Sequence, residues 1–156
     1  MNRNTVMSAV AQAFAVELDG VERMAALATA EATSSETKSE GKYDTRATEA
    51  SYLARGQAER VGSLRRLVSW FEQDIVVQTD RVAIGSLVHV DDDGTQAWWL
   101  VLPDGGGRKI DVGGTIVVIL TPKSPVGREL IGAEVGDEVE VWIGKRERYI
   151  EIVRLL

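Results

Sequence analysis

The chain has 156 residues, enough for one ordinary domain or a small domain with an extension. Its 24 acidic residues outnumber 18 basic ones, and the net charge of −6 opposes non-specific binding to duplex nucleic acid. Cysteine is absent, which excludes disulfides and thiolate metal sites, and no apolar run approaches the roughly 18–20 residues that cross a bilayer. Met1-Asn2-Arg3-Asn4-Thr5 lacks the apolar segment of a secretory signal, so the expected location is the cytoplasm.

Composition divides the chain near Gln78. Residues 5–76 contain no proline and follow a helical rhythm, whereas 80–156 carry all three prolines and alternate like strands. The expected parts are 1–78 and 79–156, with the second folding on its own. In the first part Met7, Ala11, Phe14, Leu18, Val21, Ala25, Ala28 and Ala32 recur at intervals of four and three. Ala50, Ala54, Gln57, Val61, Leu64, Val68, Phe71 and Ile75 repeat the pattern. Two such seams joined by a polar segment predict an antiparallel helical hairpin, each arm about 28 residues and roughly 40 Å long. A dimerising coiled coil or part of a helical bundle fits the same seams. The turn, about 34–44, is rich in hydroxyl and acidic residues, which compete with helical backbone bonding.

The second part predicts strands at Val82–Ile84, Ser86–Val90, Ala97–Leu102, Arg108–Val112, Thr115–Leu120, Glu138–Ile143 and Tyr149–Val153. Asp91-Asp92-Asp93-Gly94 reads as a hairpin turn, since a calcium loop needs further oxygen ligands and a distal glutamate. Gly105-Gly106-Gly107 neither precedes a helix nor carries the Lys-Ser/Thr of a phosphate loop. Trp98 and Trp99 point to opposite faces of one strand, so one is readily buried. His89 is the sole histidine, which rules out a multi-histidine metal site and leaves it a sheet residue.

Between the strands, Ser124-Pro125-Val126-Gly127-Arg128-Glu129-Leu130-Ile131-Gly132 reads as a short helix. Ser124 is the cap, Pro125 takes the first helical position and Gly132 the stop. With Ile119-Leu120-Thr121-Pro122-Lys123 before it and Val135-Gly136-Asp137-Glu138-Val139-Glu140-Val141 after it, this stretch resembles the C-terminal domain of the Gre transcript-cleavage factors. The resemblance implies an α+β chain: an N-terminal helical hairpin, then an FKBP-like antiparallel sheet with one short helix. It implies a non-enzymatic regulator that binds bacterial RNA polymerase within DNA-bound transcription complexes and inserts its hairpin into the secondary channel. No membrane and no small-molecule substrate enter this picture.

The resemblance also assigns residues. Ser124, Pro125, Gly127 and Arg128 would face the polymerase. The tip acids Glu36, Glu40 and Asp44 would act in the polymerase site, with Glu40 and Asp44 helping to hold a shared magnesium ion and no cofactor bound stably by the chain alone. Ser39-Glu40 fits the Ser-Glu pair of the family's Asp-Leu-Ser-Glu tip, but Thr37 stands in place of its aspartate. Arg46, Arg55, Arg60, Arg65 and Arg66 make the second arm basic, either as a solvated face or as groups approaching nascent RNA and channel acids. Two other functions fit the same outline: an FKBP-like peptidyl-prolyl isomerase or chaperone, and a nucleoside-kinase-regulator-like channel binder that does not stimulate cleavage.

Overall fold

The computed structural model describes residues 1–33, 45–73 and 80–156. Two long helices, α1 (Arg3–Thr33) and α2 (Thr45–Phe71), precede six strands and one short helix. The strands are β1 (Leu87–Asp92), β2 (Thr95–Val101), β3 (Lys109–Val112), β4 (Thr115–Leu120), β5 (Glu138–Ile143) and β6 (Arg146–Leu155). Helix α3 (Pro125–Leu130) lies between β4 and β5.

Asn2 starts α1: its side-chain oxygen accepts from the Asn4 amide at 2.9 Å and the Thr5 amide at 3.3 Å, satisfying two of the free donors. The N-terminal half of α1 lies beside the C-terminal half of α2. Phe14 stacks on Phe71 with ring centroids 6.3 Å apart, and Glu17 pairs with Arg60 at 2.8 Å. The expected antiparallel hairpin is present, and at 1.5 Å per residue the 31 residues of α1 extend roughly 46 Å. The tip 34–44, the seam residue Ile75 and the 78/79 boundary lie outside the described residues.

At the base of the hairpin the buried residues are Val6, Val10 and Phe14 of α1 with Val61, Leu64 and Leu67 of α2. Val6, Val10 and Leu67 fall off the seams expected from sequence. A coiled-coil seam serves one partner, but here each helix meets both its neighbour and the sheet, so a wider apolar stripe is covered.

The sheet runs β3-β4-β2-β1-β6-β5. It is mostly antiparallel, as expected, with one parallel pairing: β2 against β4, Trp98 opposite Val117 and Leu100 opposite Ile119. The cause is the order of insertion. The β3–β4 hairpin returns with β4 against β2 and β3 outside, so the chain crosses between two strands running the same way. Asp93 and Gly94 turn the β1–β2 hairpin with φ of 50° and 84°, the left-handed pair that suits a two-residue connection.

Val82–Ile84 is not a strand. Gly85 turns the chain at φ 94°, and the Ser86 hydroxyl accepts the Ala83 amide at 3.0 Å. Val82 instead exchanges backbone hydrogen bonds with Ala133 and Gly132 beyond α3, and its side chain is buried there.

The two faces of the sheet support separate clusters. Leu87, Leu100, Val117 and Ile119 pack with Val6, Val10, Phe14, Leu64 and Leu67 under the hairpin. Val88, Val90, Trp99, Ile150 and Ile152 pack with Leu130 of α3 on the other face. The two tryptophans divide as alternation requires: Trp99 is buried, and Trp98 stacks on His89 across the strands, with ring centroids 4.5 Å apart. No described helix is long and apolar enough to cross a membrane.

Candidate functional site

Helix α3 is built as the sequence implies. Ser124 holds φ −74° and ψ 153°, and its oxygen accepts the Gly127 amide at 3.0 Å while donating to the Thr121 carbonyl at 2.8 Å. Pro125 occupies the first turn, where a missing N–H leaves nothing unsatisfied. Gly132, at φ 87°, carries the chain out of the helix.

The four residues assigned to the docking surface do two different jobs. A Cβ at Gly127 would collide with the Thr121 carbonyl oxygen and approach the Ser124 hydroxyl at 2.8 Å, so this glycine lets two backbone segments touch. Ser124 and Gly127 therefore shape the turn from inside. Pro125 and Arg128 are exposed, and the apolar residues Ile131 and Val135 just beyond them are 40% and 55% exposed. A cation flanked by open apolar side chains on a rigid capped turn is suited to contact with another protein.

A second cluster, across long sequence separations, joins the hairpin to the sheet. Arg108, just before β3, donates to both carboxylate oxygens of Glu17 at 3.1 and 3.0 Å, and Arg60 of α2 reaches the same carboxylate. The Arg108 guanidinium also lies 5.1 Å from the centre of the Phe14 ring. Ser63 donates to Asp104 at 2.5 Å. Gly105, at φ 80°, tucks beneath Phe14 and Leu67, where a Cβ would stand 2.9 Å from each side chain. Of the triple glycine, Gly105 is thus the packing device against the hairpin, while a Cβ at Gly106 would meet Thr121. No sequence signal pointed to this junction, because Glu17 and Arg108 lie 91 residues apart and each is an ordinary surface residue type.

The hydrogen bond from Arg108 holds the Glu17 carboxyl below its ordinary value of 4.5. Partial burial pushes the other way and Arg60 assists. Asp104 is lowered chiefly by the Ser63 hydroxyl and then by the Gly105 amide. A depressed carboxylate contributes stability above its unfolded pKa and loses it as pH falls through the folded value. Glu17→Gln should therefore cost about 0.5–1 kcal/mol at neutral pH, a modest figure because the pairs are partly exposed. The gap to wild type should close on acidification well below pH 4.5. Urea unfolding at both pH values measures it; a constant gap would mean that the charge is irrelevant.

Arg60 and Arg65 of the basic arm are engaged across the hairpin, with Glu17 at 2.8 Å and Glu22 at 2.6 Å, whereas Arg55 and Arg66 are exposed. The side chain of Arg46 and the tip acids Glu36, Glu40 and Asp44 lie outside the described residues. Among the described residues no group of three or more histidines and carboxylates could hold a metal ion.

A family model described as "Transcription elongation factor, GreA/GreB, C-term" matches residues 77–155, just over half of the chain. The chain belongs to the GreA/GreB family of transcription elongation factors. Among solved structures, the GreA factor homolog 1 (Gfh1) of Thermus thermophilus is 18% identical to this Gre-family chain. It matches over 94% of each chain with a TM-score of 0.41. Gfh1 of Thermus aquaticus is 17% identical over 92% of each, with a TM-score of 0.38. The GreA/GreB factor of Nitrosomonas europaea is 18% identical, covering 70% of this chain and 92% of its own, with a TM-score of 0.36. A search of curated proteins finds no match. The family assignment rests on the family model, which spans the whole sheet and α3.

Proposed function

We propose that this Gre-family factor binds bacterial RNA polymerase through the exposed surface around Pro125 and Arg128, and places its hairpin in the secondary channel. It modulates the polymerase and catalyses no reaction of its own. The observation that carries this reading is the match of the family model to the domain that presents the capped α3 turn. The slender pair α1–α2 supplies a projection of the right kind for a channel, and the site of action would be the cytoplasm.

At the tip, Glu36, Glu40 and Asp44 are the acids that would reach the polymerase active site. Hard carboxylate oxygens suit magnesium, which keeps several waters and accepts one or two protein ligands, so Glu40 and Asp44 are chemically fit to complete a shared site. The ion, when bound there, would supply charge stabilisation for hydrolysis of the transcript. Nascent RNA would meet Arg55 more readily than Arg60 or Arg65, whose guanidinium groups are already paired.

Peptidyl-prolyl isomerase activity is the weaker reading. Trp99 is packed inside the core and Trp98 is stacked on His89, so neither ring floors an open cleft for proline. Occupancy of the channel without cleavage is favoured by Thr37, which removes one carboxylate from the tip.

Binding of the full chain to core polymerase tests the docking surface. Arg128→Ala should weaken affinity by roughly tenfold, as loss of an interface arginine commonly does, with unfolding free energy within about 0.5 kcal/mol of wild type. Gly127→Ala should lose both stability and binding, because its Cβ has no room. Wild-type affinity in a stable Arg128→Ala protein would remove α3 from the interface.

A further inference from the structure

Beyond the hairpin and the α3 turn, the far end of the sheet carries a surface that the polymerase-docking reading does not use. β5 is the outermost strand and pairs only with β6 among the described residues. Its six residues contain no proline and no lysine, two of the devices that usually blunt an open edge. The register aligns Glu138 with Glu151, Glu140 with Tyr149, and Trp142 with Glu147. Glu151 in turn stands opposite Asp91 of β1, so three carboxylates form one row across three strands. Like charges placed directly opposite destabilise a sheet, and none of these positions holds a lysine or arginine.

Within this acidic field lie two open aromatic side chains, Trp142 at 57% exposure and Tyr149 at 46%. The Trp142 indole donates to Glu140 at 2.7 Å and the Tyr149 hydroxyl to Glu147 at 2.8 Å, so each ring is tied beside a carboxylate. The Tyr149 hydroxyl is held above its ordinary value, first by that bond to Glu147 and also by the negative charge of Glu140 and Glu138. A ring face beside a carboxylate matches the guanidinium group, which stacks on aromatics and pairs with carboxylates through one planar fork.

Charge complementarity selects the occupant. Nucleic acid is repelled by the carboxylates. A second copy pairing edge to edge would bring two more carboxylates, its own Glu138 and Glu140, up to a strand that already carries two. We propose that β5 and the acidic, aromatic face beside it form a docking site for an extended, arginine-rich protein segment. The segment adds a strand to the β5 edge and lays guanidinium groups on Trp142 and Tyr149 among Glu138, Glu140, Glu147 and Glu151.

The test uses the full chain and a synthetic hexapeptide of alternating arginine and valine, with binding followed by calorimetry and by amide chemical shifts. Saturable binding that shifts the β5 amides is expected. Glu138→Lys with Glu151→Lys should weaken it by roughly tenfold or more, and so should Trp142→Ala, with unfolding midpoints near wild type because all three positions are exposed. With Glu138, Glu140, Glu147 and Glu151 all replaced by lysine, the charge-reversed protein should instead bind the glutamate–valine hexapeptide. A peptide with central prolines should bind poorly, since it cannot extend the ladder. Four results would overturn the proposal: no binding, binding indifferent to charge reversal, equal binding of the proline peptide, or self-association of the chain through β5. None of them bears on the α3 turn, so polymerase docking stands or falls separately.

Discussion

Replacing Phe14 with alanine is expected to lower the unfolding free energy by about 3–5 kcal/mol, the range for losing a fully buried phenylalanine. The ring is 0% exposed, contacts Phe71, lies under the Arg108 guanidinium and closes over Gly105. Leu67 and Leu100, anchored in different elements, can collapse only partly into the space, so a cavity should persist. The midpoint of urea unfolding should drop with the slope unchanged; a loss below about 1 kcal/mol would mean that the hairpin base is only loosely attached. The same cluster bears on whether residues 80–156 can fold alone. Without the hairpin, Leu87, Leu100, Leu102, Val117 and Ile119 would face water together, a patch that soluble monomers rarely expose. An isolated fragment should therefore be less stable than the full chain and prone to associate.

The largest functional effect belongs to the tip. If the factor stimulates transcript cleavage, Glu40→Ala with Asp44→Ala should abolish the stimulation while polymerase affinity stays within about twofold of wild type. The argument is distance: α1 extends roughly 46 Å from the base that packs on the sheet, and in the proposed complex Glu40 and Asp44 would act beyond its end, away from Pro125 and Arg128. Glu36→Ala is the companion variant, since a helical turn would bring Glu36 and Glu40 to one face. Cleavage of a backtracked transcript at saturating factor gives the answer. Equal, factor-dependent cleavage by wild type and double variant would remove these carboxylates from the mechanism. Binding without stimulation by either protein would make this a factor that occupies the channel only.

Local chemistry determined much of this molecule from the sequence alone. Ser124, Pro125 and Gly132 specify a short capped helix through backbone effects that operate within a few residues, and α3 forms there with the predicted Ser124 bond. Alternation placed Trp98 and Trp99 on opposite faces, and Asp93-Gly94 set a hairpin, because strand period and left-handed turn geometry are properties of the backbone itself. Tertiary structure decided what depends on a second partner. Val6, Val10 and Leu67 became core because the helices meet the sheet as well as each other. Val82 left the sheet for the end of α3 because Gly85 and Ser86 turned the chain first. The parallel β2–β4 pairing, the Glu17–Arg108–Arg60 junction and the row of Glu138, Glu151 and Asp91 join residues distant in sequence. Such pairings are set by strand order and register, which the total burial of the folded chain selects and no local pattern encodes.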